Sequence, residues 1–222
     1  MMKEENFIPN PDALFPNEYK TSCFIKNAVK AKNVFIGDYT YYDDVSHPEE
    51  FEKNNILFNW EQFGDKLVIG KFCAIGSGTK FMMGPCNHRT QSVSTYPFAV
   101  FGGAWEKAVP PHLAQLPKKG DIVVGNDVWF GKDCLIMSGV TIGDGAIIAA
   151  RSLVTSDVPP YTVYGGNPAK FIKRRFDEEL VSLLLQLQWW NLPADELVTV
   201  LPLLCDFDLE KVKRELSARM KR

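Results

Sequence analysis

VGNDVWFGKDCLIMSGVTIGDGAIIAARSLVTSDVP, residues 124–159, decides the fold once it is cut into sixes: VGNDVW, FGKDCL, IMSGVT, IGDGAI, IAARSL, VTSDVP. The first column is then Val124, Phe130, Ile136, Ile142, Ile148 and Val154. The fifth is Val128, Cys134, Val140, Ala146, Ser152 and Val158. With 45% of the chain apolar, six apolar residues in one chosen column arise by chance about once in a hundred trials. A stride of six excludes an α-helix, whose 3.6 residues per turn would scatter the column, and a plain hairpin sheet, which alternates every two residues. It suits a coil with three short flat faces. Each six supplies one face, with the aliphatic side chain inward, a small fifth residue near the corner, and Gly, Asp or Asn in the turn. Stacked turns hydrogen-bond to the turns above and below, so a single core runs along the prism.

Outward from this stretch the register continues. FGDKLV, IGKFCA and IGSGTK begin at Phe63, Ile69 and Ile75, while FIKNAV, KAKNVF and IGDYTY begin at Phe24, Lys30 and Ile36. Lys30 breaks the inward column, so the first coil is expected to be less regular. Two segments leave the prism, at about 42–62 and 81–120, and connections longer than about 12–15 residues are more often functional than idle. YGGNPAK, residues 164–170, is a turn-rich exit. Asp177 then reads as an N-cap, with Glu178 and Glu179 in the first turn and Leu180, Leu183, Leu184 and Leu187 on one helical face. Further helices are expected from Pro193 and from near Asp208. The expected organisation is a prism segment over 1–175 and a helical segment over 176–222.

The totals narrow the function classes. A formal charge of −2 over 222 residues gives no reason to expect nucleic acid as a partner. Cys23, Cys73, Cys86, Cys134 and Cys205 are scattered and contain no CxxC pair, which points away from a disulfide framework or a zinc site and towards a reducing cytoplasm. The start, MMKEENFIPNPDALFPNEYK, has no apolar leader core, and no run approaches the roughly 20 apolar residues of a membrane span.

The chemistry is confined to a few places. His47, His88 and His112 all fall in the excursions and lack ligand-like spacing, so no metal is expected. His88 follows Asn87 and precedes Tyr96, Phe98, Phe101 and Trp105, in a loop broken by Gly102 and Gly103. An imidazole of ordinary pKa, about 6.5, accepts a proton at neutral pH, which suits activation of a hydroxyl. Cys86 offers a rival covalent chemistry, but without a third group to orient the pair. Trp129 stands in the outward sixth column, where a large indole calls for a partner subunit or ligand to cover it. GGNPAK with Lys173, Arg174 and Arg175 reads equally as a phosphate cradle of glycine amides and cations, or as a turn into a solvated basic stretch.

The stride, the segment from NDVWFGKDCL to GGNPAK, the Asn87–His88 pair and LLLQLQWWNLP (183–193) together resemble the xenobiotic acetyltransferases of the hexapeptide-repeat superfamily, over about 24–190. Within that group, GDYTYYDD, NHRTQSVSTYPF and FGGAWEKAVPPHLAQLPKKGD look more like the streptogramin A (virginiamycin A) O-acetyltransferases than the type B chloramphenicol acetyltransferases. The resemblance implies a mainly β chain: a left-handed parallel β-helix with an excursion loop and C-terminal α-helices. It implies a homotrimer with active sites in clefts between prisms. It also implies acetyl-CoA as donor and direct transfer to a hydroxyl of a small-molecule antibiotic, with no metal and no acyl-enzyme. His88 falls on the catalytic histidine, Tyr41 on an aromatic of the acceptor pocket and Trp129 on the indole beside the donor. Trp60, Asn87, Phe98, Phe101 and Trp105 join the expected acceptor set, and Gly165, Gly166, Asn167, Lys170 and Arg174 the expected coenzyme set. Two departures stand out. Cys86 replaces a small residue, and Trp60 stands where the streptogramin enzymes carry a tyrosine. The alternatives are chloramphenicol or another small alcohol as acceptor, and, in a different class, a non-catalytic scaffold.

Overall fold

A computed structural model of the chain describes residues 8–220. Residues 1–7, which open the expected prism segment and the stretch read as leaderless, lie outside the described residues, as do residues 221–222 of the expected helical segment.

Each six lays down one short strand. Ile147 pairs in parallel with Trp129, and Leu153 with Leu135, in both cases one full turn of the coil away. Three sheets result. The first face holds Tyr41–Asp43, Ala74–Gly76, Trp129–Phe130, Ile147–Ile148 and Thr162–Gly166. The second holds Ile56–Leu57, Lys80–Met82, Leu135–Met137 and Leu153–Val154, and the third Val34–Ile36, Leu67–Ile69, Ile122–Val124 and Thr141–Ile142. The chain runs from third face to first to second and back, as a left-handed parallel β-helix. Every member of the first and fifth columns over 124–159 is buried, at 2% exposure or less. Alternation explains why both columns point inward: positions five and one of successive sixes are two residues apart on one strand.

The fourth column makes the corners. Tyr39, Phe72, Gly78, Asp127, Asp133, Gly139, Gly145 and Arg151 all have positive φ. For the non-glycine members this left-handed backbone is costly, and packing around the corner offsets it: Tyr39 and Phe72 stack at 4.8 Å, and Phe72 meets Trp189 at 4.9 Å.

The register expected from Phe24 does not hold. Ser22–Phe24 runs antiparallel to Tyr41–Asp43, and Ile25–Asn27 is a 3-10 turn, so the parallel coil begins at Val34 with Lys30 exposed outside it. The reversal closes the edge of the first sheet, which would otherwise present unpaired backbone groups. At the other end Ala169–Arg174 folds back antiparallel on Thr162–Gly166 and closes that edge too.

Three helices follow. Asp177 caps Glu178–Leu187 by accepting from the Leu180 amide at 2.9 Å. Ala194–Leu204 starts after Pro193, and Leu209–Met220 after Asp208. Leu180, Leu184, Val212 and Leu216 pack with Tyr161 in a second, smaller core. Among the described residues no helix is long and apolar enough to cross a membrane.

Candidate functional site

The long excursion leaves the prism after Lys80–Met82 and returns at Ile122–Val124, that is, at the corner between the second and third faces. Its first turn is tied down tightly. The buried Asp65 carboxylate accepts from the Gly84 amide at 2.5 Å. A Cβ at Gly84 would lie 2.4 Å from the Phe63 ring and 2.9 Å from Asp65, so only glycine fits this approach. Asn87 Nδ2 donates to the Gly84 carbonyl and to Ser138 Oγ, both at 2.9 Å. Both amide hydrogens that could have served an acceptor are thus spent on pinning the loop to the prism. Gly84→Ala is expected to lower kcat about tenfold by displacing this turn, with a lowered melting temperature; steady-state rates with a circular-dichroism melt check it.

His88 follows at once and is exposed. Its Nδ1 lies 2.8 Å from the Thr95 carbonyl oxygen. A carbonyl only accepts, so Nδ1 carries the proton and Nε2 presents a lone pair outward. That tautomer is the one a general base needs. Cys86 does not compete: burial, and then the Asp65 charge, push its thiol above the ordinary range, which disfavours the thiolate.

Beyond Thr95 the aromatics gather. Tyr96 stacks on Phe101 at 5.2 Å, meets Phe98 at 4.8 Å and Trp105 at 6.4 Å, while Phe98 meets Trp105 at 5.6 Å. All four are exposed. Tyr96, absent from the expected acceptor set, is the hub of this cluster; its place directly after the residue that orients His88 is visible only in three dimensions. Trp60 lies apart from them and meets the ring of His112 edge-on at 6.3 Å, joining the two excursions. His47 pairs with Glu49 at an exposed turn. Among the described residues no three His, Cys, Asp or Glu side chains gather as a metal-holding group.

The expected coenzyme residues sit elsewhere, and so does Tyr41 of the expected acceptor set. Tyr41, Ala74, Trp129, Ile147 and Val163 align across the first face, one per strand, on its outward side. Trp129 is 55% exposed, and Tyr41 stands two strands away, roughly 10 Å at the usual strand spacing. Gly165 pairs with Lys170 in the closing hairpin. Within the hairpin the Gly166 amide donates to Ser152 Oγ at 3.1 Å, and a Cβ at Gly165 would press on Ile172 and Ala149, so that glycine allows close packing. Asn167 forms the turn between the strands, Arg174 pairs with Glu178 at 3.1 Å, and Lys170 makes no ion pair among the described residues. The half-exposed Trp129 indole, the exposed Phe171 and Ile172 that follow Lys170, and the Lys170 ammonium fit a ligand with an extended apolar arm and phosphates.

In a triangular prism the first face lies opposite the corner between the second and third. One chain therefore carries His88 and the aromatic cluster on one side, and Trp129, Tyr41 and the basic hairpin on the other.

Comparison with known proteins agrees with this architecture. The family described as bacterial transferase hexapeptide (six repeats) matches residues 121–156. A probable macrolide acetyltransferase of Lysinibacillus sphaericus is 52% identical over 178 residues, 80% of this chain and 98% of that one. The virginiamycin A acetyltransferase of Staphylococcus aureus is 47% identical over 208 residues, 93% of each chain. A chloramphenicol acetyltransferase of Morganella morganii is 44% identical over 196 residues, 86% of this chain and 92% of that one. The chain thus belongs to the hexapeptide-repeat acetyltransferases.

Proposed function

We propose that this acetyltransferase moves the acetyl group of acetyl-CoA onto a hydroxyl of a streptogramin A type antibiotic, in a cleft shared by neighbouring copies of the chain in a homotrimer. The observation that carries the reading is His88, held in the base-competent tautomer by Thr95, from which the chain runs directly into a cluster of four exposed aromatic rings. An apolar acceptor is held by such a wall, with a few polar groups to orient it. The likeness to the virginiamycin A enzyme over 93% of each chain supports that acceptor, and the chloramphenicol relative supports the second reading, chloramphenicol in the same cleft.

In this mechanism His88 Nε2 removes the hydroxyl proton as the oxygen attacks the acetyl carbonyl, and the imidazolium returns that proton to the departing sulfur. The products are an acetyl ester and the free thiol. Asn87 and Asp65 do not touch the reacting atoms; they hold the loop in place. Trp129 packs along the coenzyme and Lys170 meets its phosphates. The separation of His88 from Trp129 on one prism supports a site completed by a second copy. Five free cysteines support a cytoplasmic setting.

Incubation of the enzyme with acetyl-CoA and virginiamycin M is expected to add one acetyl mass to the antibiotic. Absence of product, with chloramphenicol acetylated under the same conditions, moves the assignment to the second reading. Lys170→Ala is expected to raise KM for acetyl-CoA by about three- to tenfold with kcat within about twofold, because the phosphates lie far from the reacting carbon. An equal loss in kcat would show that the coenzyme does not lie along the hairpin.

A further inference from the structure

Residues 88–96 are all exposed. No core burial therefore fixes the Thr95 carbonyl, and its 2.8 Å contact with His88 Nδ1 competes with water for both partners. What holds this carbonyl lies one residue on. The Thr95 C=O and the Tyr96 N–H belong to one planar peptide unit, so the direction of the carbonyl is set once the Tyr96 end of that unit is set.

The Tyr96 end is held by backbone and by side chain. Its amide donates to Ser94 Oγ at 3.2 Å, and its carbonyl accepts from the Phe98 amide at 3.0 Å. Its ring stacks on Phe101 at 5.2 Å with the planes 19° apart, and meets Phe98 at 4.8 Å. Both partners belong to the 3-10 turn Phe98–Phe101, whose Ala99 is the first buried residue after the exposed run. The ring thus ties an otherwise solvated loop to the nearest rooted element, and aromatic pairs at these separations attract beyond their buried area. On the other side, Ser92 Oγ donates to the Ser94 carbonyl at 2.7 Å. An imidazole released from Thr95 can place its proton on either nitrogen, and the Nε2–H tautomer has no lone pair where the hydroxyl proton must go.

We propose that Tyr96 is a positioning residue for acetyl transfer: its ring, stacked on Phe101, fixes the Thr95–Tyr96 peptide plane and through it keeps His88 protonated at Nδ1 with Nε2 free. Tyr96 therefore acts through His88, not only as a surface for the acceptor. The inference rests on His88 being the base, but the tautomer can be read without turnover.

The test is two-bond proton–nitrogen correlation NMR on the full chain labelled with nitrogen-15 histidine, at about pH 8.5, well above the ordinary imidazole range, with kinetics in parallel. The His88 signals are assigned by their loss in His88→Gln. The wild-type ring is expected to show the Nδ1–H pattern. Tyr96→Ala is expected to convert at least about half of it to Nε2–H, and to lower kcat about tenfold while KM for the acceptor stays within about threefold. Tyr96→Phe keeps the ring and is expected to retain the Nδ1–H pattern and recover at least about half of the wild-type kcat. Ser94→Ala removes the acceptor of the Tyr96 amide without touching the ring; it is expected to shift the tautomer the same way and supplies a second variant should Tyr96→Ala fold poorly. An unchanged tautomer in both Tyr96→Ala and Ser94→Ala, a loss carried by KM for the acceptor with kcat retained, or no recovery in Tyr96→Phe each overturns the proposal. A wild-type rate in His88→Ala overturns the base assignment, and with it any role of Tyr96 in transfer, whereas an inactive His88→Ala beside an unchanged tautomer overturns the positioning alone.

Discussion

His88→Ala is expected to lower kcat by at least about a hundredfold while the dissociation constant for acetyl-CoA stays within about twofold. An alcohol is a poor nucleophile until its proton leaves in step with attack. The thioester is already activated, so the base is the main chemical contribution the chain must supply, and positioning does much of the rest. His88 is exposed and packs into no core, so its removal leaves the coil unchanged. The companion substitution Asn87→Ala frees the loop without touching the imidazole. It is expected to cost less than His88→Ala, because His88 keeps its bond to Thr95. Stopped-flow or steady-state rates, with calorimetry for acetyl-CoA, decide the matter. A rate close to wild type would remove His88 from the mechanism.

The second large effect tests the shared cleft. Trp129→Glu places a charge on the half-exposed residue proposed to pack along the coenzyme and is expected, like His88→Ala, to leave about one per cent of the activity or less. Co-expression of the two inactive chains is expected to restore about a quarter of wild-type activity. In the proposed trimer, with the two chains mixed at random, each site would draw one loop and one face from different copies, and about one site in four would receive both intact. The reason for expecting it is that His88 leaves from the corner opposite the sheet that carries Trp129. Activity no higher than the sum of the two parents would place both residues in one chain's site.

Much of the fold was legible because each turn of the coil repeats the same local demand. Val124, Phe130, Ile136, Ile142, Ile148 and Val154 must all be apolar if each opens a face of one prism, and all are buried. The same logic misread Phe24, where an apolar residue at the right spacing belongs to an antiparallel strand that closes a sheet edge. Spacing reports which side chains are buried, not which way the next strand runs. The corners were half legible. Gly139 and Asp127 are ordinary turn residues, but Tyr39, Phe72 and Arg151 share the same left-handed backbone for reasons of stacking and context that no turn rule contains.

His88 could be singled out because imidazole is scarce and chemically distinctive. Its supports could not. Thr95, Ser138 and Asp65 are common residues whose roles depend on which atoms they meet. The glycines of the closing hairpin read equally as a phosphate cradle or as a turn, and spacing alone does not show that the Gly166 amide meets the Ser152 hydroxyl.

The amino-acid order alone determined the triangular coil and the kind of group that can take a proton from an alcohol, because burial every six residues and the basicity of imidazole are both local properties of the chain. Only the folded arrangement decided that His88 presents Nε2, that Trp129 faces the opposite way, and that Tyr161 is buried under the last helices. Those facts are contacts between residues far apart in sequence, fixed by where each excursion re-enters the prism and where the last helices come to rest.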